Sequence, residues 1–134
     1  MITILFVDDE SNILQGLQRM LRPMRREWNL CFANSGAEAL TILAEKQVDV
    51  IVSDMKMPGM DGAQLLEEVS HKYPHIVRII LSGYSEKEYM VRSNGTAHEY
   101  LAKPCDTERL KDAVYAIGAL QDVGQTPTSA RSDV

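Results

Sequence analysis

The sequence contains few cysteines, and their placement argues against two kinds of scaffold. Cys31 and Cys105 are the only cysteines in 134 residues, and neither belongs to a C-x-x-C pair. A disulfide framework or a zinc site needs more cysteines at closer spacing. We therefore expect two reduced thiols in a cytoplasmic protein.

The chain also lacks an excess of positive charge and an apolar run long enough to cross a bilayer. Its formal net charge is -5 at pH 7, which argues against wrapping nucleic acid or coating an anionic membrane. The first residues, Met1 to Phe6, have neither a basic leader nor a small-residue cleavage site and are typical of a strand. We expect no direct binding to nucleic acid or to a membrane.

The chain has enough apolar residues for one buried core, at 45% of the sequence. Apolar runs alternate with segments of helical periodicity, and Ser35–Glu38 and Ser85–Glu88 have capping-box spacing. We predict one domain over 1–123 and a flexible tail or linker over 124–134. The predicted strands are Ile2–Val7, Asn29–Ala33, Val48–Ser53, Val77–Ser82 and Glu99–Ala102. The predicted helices begin at Ser11, Ser35, Gly62, Ser85 and Asp106 or Thr107.

This alternation predicts a three-layer α/β domain with a parallel five-stranded sheet, whose ligands bind beyond the carboxyl ends of the strands. Polar residues gather at those ends. Like charges that lie close together are costly unless a cation neutralises them, so the acidic groups predict a divalent metal site. The residues are Asp8 and Asp9 after strand one, Asp54 after strand three, Ser82 after strand four and Lys103 after strand five.

The polar residues stand in four longer motifs. These are Val7-Asp8-Asp9-Glu10, Asp54 followed by Met57-Pro58-Gly59-Met60-Asp61-Gly62, Leu81-Ser82-Gly83 and Tyr100-Leu101-Ala102-Lys103-Pro104. Taken together, the motifs resemble those of the receiver domains of two-component response regulators, over roughly Ile2 to Leu120. The resemblance implies a flavodoxin-like (βα)5 fold with strand order 2-1-3-4-5.

The family's phosphorylation chemistry carries over to matching residues. Asp54 would accept a phosphoryl group from a sensor histidine kinase or a histidine phosphotransfer protein. Asp8, Asp9, Asp54 and the backbone carbonyl of Lys56 would hold Mg²⁺, which Mn²⁺ can replace. Mg²⁺ prefers a few carboxylates, retained waters and phosphate oxygens, which agrees with this set.

The resemblance also implies a switch. Ser82 and Lys103 would contact the phosphoryl oxygens, and Tyr100 would swing inward when Ser82 shifts. The changed surface would be that of the fourth helix, the fifth strand and the fifth helix, which also offers a homodimer interface. Pro104 is a candidate for a cis bond, and Lys56 and Tyr84 occupy positions that tune dephosphorylation.

The output is a separate question. Leu21–Trp28 and Ala97–Asp106 resemble receivers that precede HD-type output domains, both HD-GYP and HDOD. We expect the receiver to control its own or a separate output domain, and not to be an enzyme beyond its own phosphotransfer and slow autodephosphorylation.

Alternative readings remain open for several residues. Asp8 and Asp9 could only cap a helix, where the dipole favours acids. An aspartyl phosphatase is disfavoured by Lys56, which stands where a second acid belongs, and a dinucleotide fold by the missing glycine-rich turn. A phosphorylation-independent interaction module with the same fold is the main rival. The arginines of the first helix region, Arg22, Arg25 and Arg26, either cover a helix end or touch an acidic partner.

Overall fold

A computed structural model describes residues 1–83, 97–103 and 105–125, with side chains through Ala116. Strands and helices alternate along these residues, as the sequence predicts. The strands are β1 (Ile2–Val7), β2 (Trp28–Ala33), β3 (Val50–Ser53), β4 (Val77–Ser82) and β5 (Glu99–Ala102). The helices are α1 (Ser11–Met20), a 3-10 helix (Arg22–Arg26), α2 (Gly36–Glu45), α3 (Gly62–Lys72) and a final helix (Thr107–Gln125).

The five strands form one parallel sheet in the order β2-β1-β3-β4-β5, which confirms the predicted flavodoxin-like fold. Side chains of β1 alternate between two hydrophobic cores. Leu5 and Val7 belong to one core, and Ile4 and Phe6 belong to the other. Because both faces of the sheet are covered, the central strands are apolar almost throughout.

Side-chain caps mark where the helices begin. The Ser35 hydroxyl accepts a hydrogen bond from the Glu38 backbone N–H at 3.0 Å, as predicted for α2. The Glu38 carboxylate accepts from the N–H of Asn34 at 2.7 Å, one residue earlier than a reciprocal capping box requires. At α3, Asp61 and Gln64 form the complete box.

Several element ends differ from the sequence prediction. Pro23 predicts an end or a kink near the last turn of the first helix. In the structure α1 ends earlier, at Met20, and Pro23 is the second residue of a separate 3-10 helix that begins at Arg22, where its missing N–H is tolerated. β3 begins at Val50, two residues later than predicted, although the Asp49 N–H still donates to the Thr3 carbonyl at 2.9 Å and the Asp49 carboxylate accepts from the Thr3 N–H at 2.8 Å. The final helix runs to Gln125, past Gly124.

Several predictions fall outside the described residues. They are the fourth helix from Ser85, the role of Tyr84, the isomer of the bond before Pro104 and the segment 126–134 of the predicted tail. Within the described part of the chain, no helix combines the length and apolar character that a membrane crossing requires.

Candidate functional site

The site lies at the edge of the sheet where the parallel strands end. Backbone bonds continue past the strands and fix the next residues in place. The Asp54 N–H donates to the Val7 carbonyl at 2.8 Å, and the Lys103 N–H donates to the Ser82 carbonyl at 2.9 Å. The Asp8 N–H donates to a carbonyl of β2 at 3.1 Å. The main chain therefore presents these side chains at one rim, as expected for parallel strands.

Lys103 joins two carboxylates at this rim. Its Nζ lies 2.9 Å from Asp8 Oδ2 and 3.1 Å from Asp54 Oδ1. Asp8 is 3% exposed and Asp54 is 9% exposed. Two acids with so little water around them need a compensating cation, and Lys103 provides one.

Burial and charge oppose each other in setting the pKa values. Burial raises the pKa of Asp54; the neighbouring Lys103 ammonium lowers it, the Asp8 charge raises it, and the net direction is upward. For Lys103, burial lowers the pKa, but its hydrogen bond to Asp8 and the charges of both acids outweigh burial and raise it. Lys103 therefore remains protonated at neutral pH. The raised pKa of Asp54 means that the site disfavours the charged form of this carboxyl group.

The acidic residues of the site also match the predicted metal site. One carboxylate oxygen from each of Asp8, Asp9 and Asp54 lies within 4.8 Å of the others. The Glu10 N–H donates to Asp8 Oδ1 at 2.9 Å, which orients that carboxylate. Asp9 is exposed, so a metal held there would keep waters. This oxygen-only set fits a hard divalent cation such as Mg²⁺. The Lys56 carbonyl as a further ligand stays a prediction.

Two further predicted residues lie on β4 and β5, both on the same side of the acceptor strand β3. Ser82 is the last residue of β4 and is 4% exposed. Tyr100 pairs with Ile80 across β4 and β5 and packs, half-buried, against the core that contains Leu5. Both positions agree with the predicted contact and switch, but those roles stay predictions.

A positioning residue that the sequence reading missed is Gly62. A Cβ atom at this position would lie 2.3 Å from the Asp54 carbonyl oxygen and 2.8 Å from the Cα of Met55. The Gly62 N–H donates to the Met55 carbonyl at 2.8 Å, and the Ser53 hydroxyl donates to the Asp54 carbonyl at 2.9 Å. The start of α3 thus braces the acceptor's main chain. In the sequence, Gly62 appeared only as the predicted start of a helix and as the last residue of the motif that follows Asp54.

The family model for the response regulator receiver domain matches residues 4–115, and the chain belongs to this family of two-component signalling domains. The hydrogenase transcriptional regulatory protein HoxA of Cupriavidus necator is 36% identical over 114 residues, covering 84% of this chain and 23% of HoxA. The chain thus spans about a quarter of that relative's length.

Solved structures agree with this family. The signal receiver domain of an HD domain-containing protein from Pseudomonas fluorescens Pf-5 superposes with a TM-score of 0.82 at 33% identity, covering 90% of this chain and 97% of that one. The response regulator protein TrrA from Thermotoga maritima, in complex with Mg²⁺-BeF, gives a TM-score of 0.77 at 31% identity, covering 87% and 99%. Receiver domains of this family bind Mg²⁺ in an acidic pocket, and the carboxylate cluster here is of that kind.

Proposed function

We propose that this receiver domain is a phosphorylation-activated switch whose phosphoacceptor is Asp54. The observation that carries the proposal is the pair of contacts from Lys103 Nζ to Asp54 and Asp8 at one strand rim. A carboxylate beside a fixed ammonium and two further acids is suited to attack phosphorus and to stabilise the phosphoryl group that results.

The proposed reaction takes its phosphoryl group from a phosphohistidine of a sensor kinase or phosphotransfer protein. An Asp54 carboxylate oxygen attacks phosphorus, the phosphorus–nitrogen bond breaks, and the imidazole nitrogen keeps the electron pair. An acyl phosphate forms on Asp54. Mg²⁺, held by Asp8, Asp9, Asp54 and the Lys56 carbonyl, supplies charge neutralisation when bound. Lys103 transfers its contact from the Asp54 carboxylate to a phosphoryl oxygen.

The proposed output is a change of surface. The Ser82 hydroxyl donates to a second phosphoryl oxygen, and Tyr100 turns further into the core behind it. These moves change the face formed by β5, the final helix and the predicted helix within 84–96, which would contact an output domain or a second copy. Lys56 and Tyr84 would set the lifetime of the phosphoryl group. Apart from this chemistry on itself, the domain performs no catalysis in this proposal.

The proposal includes the domain's setting. We propose that the receiver extends through the final helix to Gln125 and that a linker follows it, in a cytoplasmic regulator. The likeness to the Pseudomonas fluorescens receiver supports an HD-type output domain. Many members of the family belong to longer regulators, so the output domain and kinase of this one are part of the proposal.

Intact-mass measurement tests the proposal. The protein is incubated with acetyl phosphate, with Mg²⁺ or with a chelator. One phosphoryl adduct is expected, dependent on Mg²⁺, and Asp54→Asn should remove it because the amide is nearly isosteric but cannot attack. Asp112→Asn is the matched control: Asp112 is exposed on the final helix, and its replacement should leave labelling unchanged.

Two results would decide against parts of this proposal. Full labelling of folded Asp54→Asn would assign the acceptor elsewhere. If folded, metal-bound protein takes no phosphoryl group from acetyl phosphate or from a phosphorylated phosphotransfer protein, the chain is a phosphorylation-independent interaction module.

A separate experiment tests the switch. Beryllofluoride with Mg²⁺ should shift the Tyr100 ring signals in NMR spectra, and these signals are assigned by their loss in Tyr100→Phe.

A further inference from the structure

The free edge of the sheet has features that the phosphorylation chemistry does not use. β2 is an edge strand, and among the described residues it pairs with β1 alone. Alternate backbone N–H and C=O groups along its outer side are therefore left outside the sheet's ladder. Such an edge is a template for another strand unless the protein covers it.

Apolar side chains line the same edge. Trp28, Leu30 and Phe32 stand at every second position of β2, so they share one face of the strand. Trp28 is buried, while Leu30 and Phe32 are only partly buried. Leu30 and Phe32 therefore leave apolar surface exposed along the outer side of β2, where no described strand lies.

A groove of about 580 Å³ runs beside this face. Its wall is formed by the 3-10 helix, which contributes two exposed arginines to the lining. The residues that line the groove include Met1, Arg22, Arg25, Trp28, Leu30 and Phe32.

The charge of this groove is opposite to that of the whole chain. Arg22 and Arg25 line it, no acidic residue does, and neither arginine forms an ion pair within the described residues. The neighbouring acid, Glu27, accepts a hydrogen bond from the Tyr115 hydroxyl at 3.1 Å. A positive groove on a protein of net charge -5 selects for an acidic partner.

We propose that the groove binds an acidic, extended segment of a partner protein, which adds as a strand along the outer edge of β2. Its backbone completes the free ladder of β2. Its apolar side chains cover Leu30 and Phe32, and its carboxylates pair with Arg22 and Arg25. This mode of recognition takes affinity from the main chain and specificity from alternate side chains. The proposal is independent of the phosphorylation of Asp54.

Trp28 gives the experiment a built-in probe, because it is the only tryptophan in the chain and lines the groove. The test peptide is short, with glutamates preceding a run of valine and threonine, and its counterpart has lysines in place of the glutamates. The glutamate peptide should change the Trp28 emission saturably and slow hydrogen exchange of β2 amides. The lysine peptide should do neither, and added salt should weaken binding.

Matched variants separate the groove from general charge. The double variant Arg22→Glu and Arg25→Glu should raise the dissociation constant of the glutamate peptide roughly tenfold or more, because each substitution replaces an attraction to the peptide's carboxylates by a repulsion. Arg26→Glu is the control: Arg26 is exposed on the same 3-10 helix but does not line the groove. The affinity of the Arg26→Glu variant for the glutamate peptide should stay within about twofold of that of the parent protein.

Several outcomes would overturn the proposal. They are no binding of the glutamate peptide, equal binding of both peptides, an equal loss in Arg26→Glu, or binding without protection of β2 amides. Sedimentation of the chain alone tests a competing occupant. A concentration-dependent dimer that the double variant abolishes would place a second copy of this chain in the groove instead of an acidic partner.

Discussion

Replacing Lys103 by methionine removes the cation that holds the acidic rim together, and its cost can be estimated from the structure. Lys103 Nζ lies 2.9 Å from Asp8 and 3.1 Å from Asp54. Methionine keeps most of the apolar stem and removes only the charge and its hydrogen bonds. The variant therefore leaves two nearly buried carboxylates without their partner.

The carboxylate oxygens of Asp8 and Asp54 lie within 4.8 Å of each other. At an effective dielectric constant of about 20, two unit charges at that separation repel by about 3–4 kcal/mol. Water at the rim and partial protonation of Asp54 relieve part of this repulsion. We expect the free energy of unfolding at pH 7 without Mg²⁺ to fall by about 2–3 kcal/mol.

The dependence of this loss on pH follows from the direction of the pKa shift. The folded pKa of Asp54 is already raised by burial, and losing the Lys103 ammonium raises it further. A carboxyl group whose folded pKa exceeds its unfolded pKa loses stability as pH rises from the unfolded value through the folded one. The deficit of Lys103→Met should be full at neutral pH, shrink as pH falls through the folded pKa of Asp54, and be gone below the unfolded value of about 4.

Urea unfolding followed by Trp28 fluorescence measures the effect, first in chelator and then in millimolar Mg²⁺. A metal at the rim supplies positive charge, so Mg²⁺ should restore much of the lost stability. The control is Lys72→Met, which breaks an ion pair of similar length, 2.8 Å to Glu68, between exposed side chains. Its cost should be much smaller than that of Lys103→Met, because water screens an exposed ion pair. Equal costs for the two variants, or no recovery in Mg²⁺, would refute the reasoning.

Two further predictions concern packing and pH. Gly62→Ala should lower the free energy of unfolding by about 2–3 kcal/mol and reduce phosphorylation, because the added Cβ would lie 2.3 Å from the Asp54 carbonyl oxygen. Gly16→Ala in α1 is the control: nothing outside its own helix lies within 4 Å of the added Cβ, so this variant should not be destabilised. His98 accepts a hydrogen bond from the Arg78 N–H at 2.9 Å, and burial, with the Arg78 charge, lowers its pKa. Its contribution to stability should be full above about pH 6.5 and fall below it, and His98→Asn should flatten that fall in unfolding experiments.

Much of the fold could be read from the order of residues. Continuous apolar runs that end in Asp8 and Asp54 predicted buried parallel strands with carboxylates at their rim. Local cap chemistry predicted the start of α2 at Ser35. These signals work because strand burial and helix capping depend on residues a few positions apart. The end of α1 does not follow from the sequence, because Pro23 is compatible with either a kinked helix or a new 3-10 helix.

The ion pairs and contacts within the site join residues that are far apart in the sequence. Lys103 and Asp8 are 95 positions apart, and only the register of β1, β3, β4 and β5 brings their charges to 2.9 Å. Similarly, Gly62 is a turn residue in the sequence and a brace for Asp54 in the fold.

The order of residues is enough to show which chemical groups this protein carries and which strand each one follows. It also carried the motifs of a receiver domain. Chain packing is what makes Lys103 bridge two acids and places Arg22 and Arg25 at a groove beside the edge strand β2. The reason is physical: capping and periodicity act over a few residues, whereas ion pairs and grooves form between surfaces that only chain packing brings together.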